Sequence, residues 1–196
     1  MRVLLRLFPQ LREDVPAPPP PDVRPVDLST PWAEGRSAEE LLPYADESIT
    51  SVLRRYQAVD LGYCAARIRQ DGGAYLGWDR GLGKTLGAIT LANELRAESL
   101  IVVCPNSSKE LVWVAEFAKW LPDVAVFNYG GTAKQRDRAL ESWRERGGAQ
   151  SALLVHFEGL RLHDWSKEQV DLLIVDEAHR LQNGSASARS AECYKR

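Results

Sequence analysis

Gly81-Leu82-Gly83-Lys84-Thr85 gathers two glycines, a cation and a hydroxyl into five consecutive residues. That combination suits a polyanion. ATP brings about four negative charges, which need converging backbone N–H groups, a helix N-terminus and a cation. Glycines let the backbone wrap phosphates with no Cβ in the way. Lys84 is then set to meet the β- and γ-phosphates, and the Thr85 hydroxyl to meet Mg²⁺. A second group, Asp176-Glu177-Ala178-His179, follows the apolar run Asp171–Val175. Two carboxylates at the end of a parallel strand stand where α/β sheets bind ligands. There Asp176 can hold Mg²⁺ through water, and Glu177 can act as general base on an attacking water. By itself such a pair is more often a helix N-cap; downstream of a Gly-Lys-Thr loop the ATP reading prevails.

These groups need elements to position them. Leu53–Arg69 reads as a helix, with Tyr56, Val59, Tyr63 and Ala66 at three- and four-residue steps. Ala74–Trp78 is a short apolar run before the glycine-rich turn, and a helix follows to about Arg96. Ser99–Cys104 is a buried-type strand stopped by Pro105, and Ser107–Trp120 a helix, with Ser107 and Glu110 spaced as a capping box. Val124–Tyr129 reads as a strand and Ala133–Arg146 as a charged helix ended by Gly147-Gly148. Ser151–Phe157 and Asp171–Val175 read as further strands. Uniformly apolar strands alternating with helices predict an α/β fold with a mostly parallel sheet covered on both faces.

Residues 1–48 differ. Pro16, Pro18, Pro19, Pro20, Pro21, Pro25 and Pro31 make a stiff extended linker. The run Arg2–Phe8 reads either as a strand of a small upstream element or as a frayed tail. The expected division is therefore an N-terminal segment with a Pro-rich linker over 1–48 and an ATP-binding lobe over 49–196. The 196 residues are 44% hydrophobic and 27% charged, which are globular values. A net charge of −2 gives no overall pull toward nucleic acid, so any DNA contact must be local. Cys64, Cys104 and Cys193 are odd in number and lack C-x-x-C spacing, which speaks against a disulfide framework or zinc site. With no secretory signal and no apolar stretch near ~20 residues, a cytoplasmic protein without membrane contact is expected.

Leu53-Arg54-Arg55-Tyr56-Gln57, Gly81–Thr85, Val102-Val103-Cys104-Pro105, Trp113, Glu116-Phe117 and Asp176-Glu177-Ala178-His179-Arg180-Leu181-Gln182-Asn183 occur in that order. Together they resemble the first RecA-like lobe of a Swi/Snf-like superfamily-two helicase or ATPase, over roughly Ser51 to Arg196. The resemblance implies a RecA-like P-loop lobe and ATP hydrolysis, with Mg²⁺, coupled to movement on duplex DNA. It also implies that Gln57 reads the adenine edge, with Arg54 and Tyr56 beside it, and that Gly81, Leu82, Gly83, Lys84 and Thr85 hold the phosphates. Pro105, Asn106 and Ser107 would meet the DNA backbone, although Ser107 is equally well explained as a helix cap. His179 and Arg180 would relay the state of the nucleotide. The departures are Trp78-Asp79-Arg80, where the family usually has aspartate, glutamate and methionine, and Gln182 in place of lysine.

Family lobes continue to a strand ending threonine-glycine-threonine-proline, lying between the P-loop strand and the DEAH strand; this sequence has none. The expectation is a lobe incomplete at its C-terminal end, with both strands left unpaired on facing edges. The second RecA-like lobe, with its catalytic arginines, is absent too, so negligible ATPase is expected of the chain alone. Alternatives are a non-catalytic nucleotide- or DNA-binding module, the helicase subunit of a restriction-type system, and an interaction protein recruited through the proline-rich segment. Lys134, Arg136, Arg138, Arg144 and Arg146 alternate with Asp137, Glu141 and Glu145, which favours a solvated helix face over a phosphate-binding one. His156 and His163 are read as structural, and the tryptophans as core.

Overall fold

The computed structural model describes the backbone of residues 3–7 together with residues 33–146 and 150–181. The Pro-rich run, Gly147-Gly148, Gln182, Asn183 and Cys193 lie outside the described residues. Six strands form one sheet: β1 (Val3–Leu7), β2 (Gly73–Leu76), β3 (Ser99–Cys104), β4 (Ala125–Tyr129), β5 (Ser151–His156) and β6 (Leu172–Val175), in the order β2-β1-β6-β3-β5-β4. The four strands β6-β3-β5-β4 are mutually parallel. This is the α/β, RecA-like arrangement expected.

The alternation of side chains along a strand shows how both faces come to be covered. Leu100, Val102 and Cys104 of β3, with Leu154 of β5 and Ile174 of β6, enter one core with the helices α3 (Arg55–Asp71), α4 (Lys84–Glu94) and α6 (Ala115–Trp120). Ile101 and Val103, with Leu153, Val155 and Val175, enter a second core with Leu140 and Trp143 of α7 (Ala133–Glu145). A strand apolar at every position is what a doubly covered sheet needs.

The central slot was not foreseen. β1 is antiparallel to both of its neighbours and pairs with β2 from Val3↔Leu76 to Arg6↔Gly73, and with β6 from Leu4↔Val175 to Leu7↔Leu172. The expected gap between the P-loop strand and the DEAH strand is therefore filled by the amino-terminal strand, so this run is not a frayed tail. Backbone pairing explains the choice. Two buried strand edges carry N–H and C=O groups that cost about 1–3 kcal/mol each when unpaired, and a five-residue strand satisfies both at once.

Two short helices, α1 (Ala38–Leu41) and α2 (Glu47–Thr50), lead into α3 and are tied to the lobe by buried polar groups. Glu94, fully buried at the end of α4, accepts from the N–H groups of Tyr44 (2.8 Å) and Ala45 (3.0 Å) and from the Arg69 guanidinium (2.8 Å). Asn93 accepts from the Asp46 N–H at 2.6 Å. Such charge-assisted bonds offset the cost of burying the carboxylate.

After β3 the structure also departs from the sequence reading. Helical backbone begins at Asn106, with Pro105 in the cap position and no side-chain cap bond, as the three-residue α5 (Asn106–Ser108). Ser107 sits inside the first turn and is not its cap. A wide π-helical stretch, Lys109–Val114, separates α5 from α6. It seats Lys109, 1% exposed, where its ammonium donates to Asn128 Oδ1 and the Tyr129 carbonyl, both at 2.9 Å, and lies 3.2 Å from His156 Nδ1. Helix α7 begins with a Thr132–Gln135 capping box and buries only Leu140 and Trp143, so its charged residues do form a mostly solvated face. No helix among the described residues is long and apolar enough to cross a membrane.

Candidate nucleotide site

Leu4 faces Tyr75 on one side and Val175 on the other, so β2 and β6 run the same way with their ends level. Two strand spacings separate them, or about 10 Å. The phosphate loop leaves the sheet after Leu76, and Asp176 leaves it after Val175. The ends of β3 and β5 open at the same edge, since Val103 pairs with Val175 and Cys104 with His156. Pro105, Asn106 and Ser107 therefore start one strand beyond Asp176.

The phosphate loop is shaped by its glycines and closed by α3. Gly83 has φ +80°, a setting that favours glycine, and a Cβ there would lie 2.7 Å from Gln57 Nε2 and displace the end of that side chain. Gln57 is buried, not the exposed helix residue that it would be by spacing alone. Its Oε1 accepts from the Arg54 N–H at 2.8 Å, and its Nε2 donates to the Leu82 carbonyl at 3.0 Å. The Tyr56 hydroxyl donates to that same carbonyl at 3.3 Å. Arg54 contributes its backbone here, while its side chain is exposed. Thus the glutamine segment and the phosphate loop, distant in sequence, are joined at Leu82.

Lys84, 3% exposed, turns its ammonium onto the loop's own carbonyls, at 2.5 Å from Trp78 O and also in contact with Asp79 O. A buried ammonium must keep acceptors. Those two carbonyls belong to residues just beyond β2, which puts the ammonium at the loop's floor. Thr85 follows at half-buried exposure in the first turn of α4.

Asp176 is 2% exposed and its N–H donates to Val103 O at 2.8 Å. Its Oδ2 accepts from Trp113 Nε1 at 3.4 Å, whereas Oδ1 is buried with no hydrogen-bond partner among the described residues. Burial raises its pKa above the usual carboxylate value, and the neighbouring Glu177 charge adds to this, against the Trp113 bond. A partly desolvated carboxylate with one unpartnered oxygen has room to accept a proton or a cation. Glu177 has φ +54°, a left-handed setting uncommon for a side chain other than glycine, asparagine or aspartate. The turn leaves Glu177 half-buried beside the fully buried Asp176, with His179 Nδ1 3.2 Å from its carboxylate. The Arg180 guanidinium lies over the Phe157 ring at 5.0 Å. Both His179 and Arg180 are exposed.

Two contributors escaped the sequence reading as site residues. Trp113 belonged to the quoted pattern without a role, yet it is the hydrogen-bond donor to Asp176. Asp60 carried no signal beyond its helical position, but it accepts from Trp78 Nε1 at 2.7 Å.

Against known families, residues 56–195 match the SNF2-related domain. The DNA excision repair protein ERCC-6-like of Danio rerio is 34% identical over 130 residues, which cover 61% of this chain and 9% of that protein. Helicase SWR1 of Kluyveromyces lactis is 27% identical over 188 residues, covering 87% of this chain and 12% of its own length. The DNA repair and recombination protein RAD54-like of Mus musculus is 32% identical over 161 residues, 70% of this chain and 21% of that protein. The chain thus spans between about a tenth and a fifth of the length of these relatives.

Proposed function

Because the chain belongs to the SNF2-related family, we propose that it is the ATP-binding part of an ATP-dependent DNA translocase of the Swi/Snf-like kind. The observation that carries the proposal is the level register of β2 and β6 across β1, which opens the phosphate loop and the Asp176–Glu177 pair onto one edge.

Each residue then has work to do. Gln57, flanked by Arg54 and Tyr56, meets the adenine. Gly81, Leu82 and Gly83 present backbone N–H groups to the phosphates. Lys84 exchanges its two carbonyl acceptors for phosphate oxygens. The orphaned Asp176 Oδ1 and the Thr85 hydroxyl fit a magnesium ion, which when bound supplies charge neutralisation between the phosphates. Glu177 orients the attacking water and takes its proton. Pro105, Asn106 and Ser107, exposed or half-buried at the same sheet edge, meet the DNA backbone, and His179 and Arg180 pass the nucleotide state onward. Stabilisation of transferring charge by arginines is worth about 10³–10⁵ in rate in related NTPases. A second RecA-like lobe would supply them.

The test measures MgATP binding and phosphate release on one sample of the 196-residue chain, with and without duplex DNA. Binding is expected, weakened at least about thirtyfold by Lys84→Ala, since a buried charge contact is removed. Turnover should stay at background. DNA-stimulated release abolished by Lys84→Ala would overturn the need for a second lobe. Absence of MgATP binding would overturn the site.

A further inference from the structure

Trp78 stands where a standard phosphate loop begins with glycine, and its indole makes three contacts, two with α3 and one with α4. Its Nε1–H donates to Asp60 Oδ2 in the middle of α3 at 2.7 Å. Its ring meets that of Tyr56 edge-on, with centroids 5.8 Å apart and planes at 76°. Its far side lies against Gly87 of α4, so closely that a Cβ there would be 2.9 Å from Cζ3 and 3.2 Å from Cη2. The carbonyl of the same residue is one of the two that hold the Lys84 ammonium.

We infer that Trp78 is a positioning residue of the phosphate loop: its indole pins the loop to α3 and α4 and so fixes the carbonyls from which Lys84 passes to a triphosphate. The inference rests on the nucleotide reading of the site. The physical reasoning concerns order. A loop rich in glycine has many accessible conformations, and nucleotide must select one of them. A bulky side chain anchored at three points removes that freedom beforehand, which lowers the cost of binding. Gly87 belongs to the same device, because only a residue without Cβ admits the ring at this distance.

The test is MgATP affinity of the full chain, by calorimetry, for wild type, Trp78→Phe, Gly87→Ala, Trp78→Ala, the Trp78→Ala/Gly87→Ala double variant and Lys84→Ala. Trp78→Phe keeps one aromatic ring but loses the bond to Asp60 and the indole edge that reaches Gly87, and should weaken binding about fivefold, or ~1 kcal/mol. Gly87→Ala should cost a similar factor in the wild-type background and nothing once the indole is gone, a non-additivity diagnostic of contact. The change of indole emission on saturation with MgATP should be reduced in Trp78→Phe. Unchanged affinity in Trp78→Phe, or an equal effect of Gly87→Ala in both backgrounds, would overturn the pin while wild-type binding, lost in Lys84→Ala, upholds the site. If wild type itself does not bind MgATP, site and pin fall together.

Discussion

The parallel block β6-β3-β5-β4 and the β2-β1 pair are built on different terms. β3 and β5 are six-residue strands buried almost throughout, paired parallel along their whole length and packed on both faces. β2 has four residues, with Tyr75 45% exposed, and reaches the rest of the sheet only through β1. Yet β2 carries the phosphate loop. The stable block holds one half of the site, Asp176, and the lightly held pair holds the other. On the nucleotide reading proposed above, the site would depend on the register of the strand that lies between its two halves in the sheet.

Removing β1 should break this comparison most visibly. A chain lacking residues 1–8 leaves the edges of β2 and β6 unpaired, against a typical total stability of about 5–15 kcal/mol. Amide exchange over Gly73–Leu76 should become fast while β3 and β5 stay protected, and the exposed edges should promote association. Equal protection of β2 with and without residues 1–8 would mean that the helices alone hold it.

The next effect is smaller and of opposite sign for stability and function. Asp176→Asn removes a buried carboxylate whose pKa is raised, chiefly by burial, with one oxygen unpartnered among the described residues. A raised folded-state pKa means that ionisation opposes folding above the ordinary aspartate value, so at neutral pH the neutral variant should be more stable by about 1–2 kcal/mol. Urea denaturation would measure this, and MgATP binding should weaken in the same variant. Loss of stability in Asp176→Asn would show that the carboxylate is satisfied as it stands.

The smallest effect sharpens the parallel side. Glu168, buried, accepts from Arg144 Nε at 2.9 Å and is 2.5 Å from His163 Nε2. Burial pushes its pKa up, but the bonds from Arg144 and His163 outweigh this and hold it below the usual value. A depressed carboxylate contributes stability above its unfolded pKa, which is lost as pH falls through the folded one. Stability should therefore decline below the ordinary glutamate range, and Arg144→Ala, removing a half-exposed partner, should cost about 0.5–1.5 kcal/mol at neutral pH. An acid limb of the urea-denaturation midpoint that is the same in Glu168→Gln would assign the decline elsewhere.

What could be read in advance follows the same division. β3 comes out over Ser99–Cys104 as its unbroken apolar run demands, and β5 differs from its reading by one residue. Local composition suffices where a strand is buried on both faces. β2 ends at Leu76, before the Trp78 that the apolar run suggested, because Gly77 and Trp78 peel away into the loop. The place of β1 could not be read, since pairing between residues 3–7, 73–76 and 172–175 is decided by which edges remain unpaired once the rest has folded. In the candidate site, the readings of the phosphate loop and the acidic pair rest on side-chain chemistry. Gln57 needed the family pattern, because spacing along α3 does not reveal burial against Leu82. Trp113 and Asp60 are matters of tertiary contact alone, and no spacing encodes them.

The antiparallel strand at the sheet's middle also has a mechanical meaning. A pull along β1 cannot unzip it one bond at a time, because ladders on both sides bear the load together in shear. Tension applied there would reach the strand before Gly77 and the strand before Asp176 simultaneously, making this short segment a stiff handle common to both.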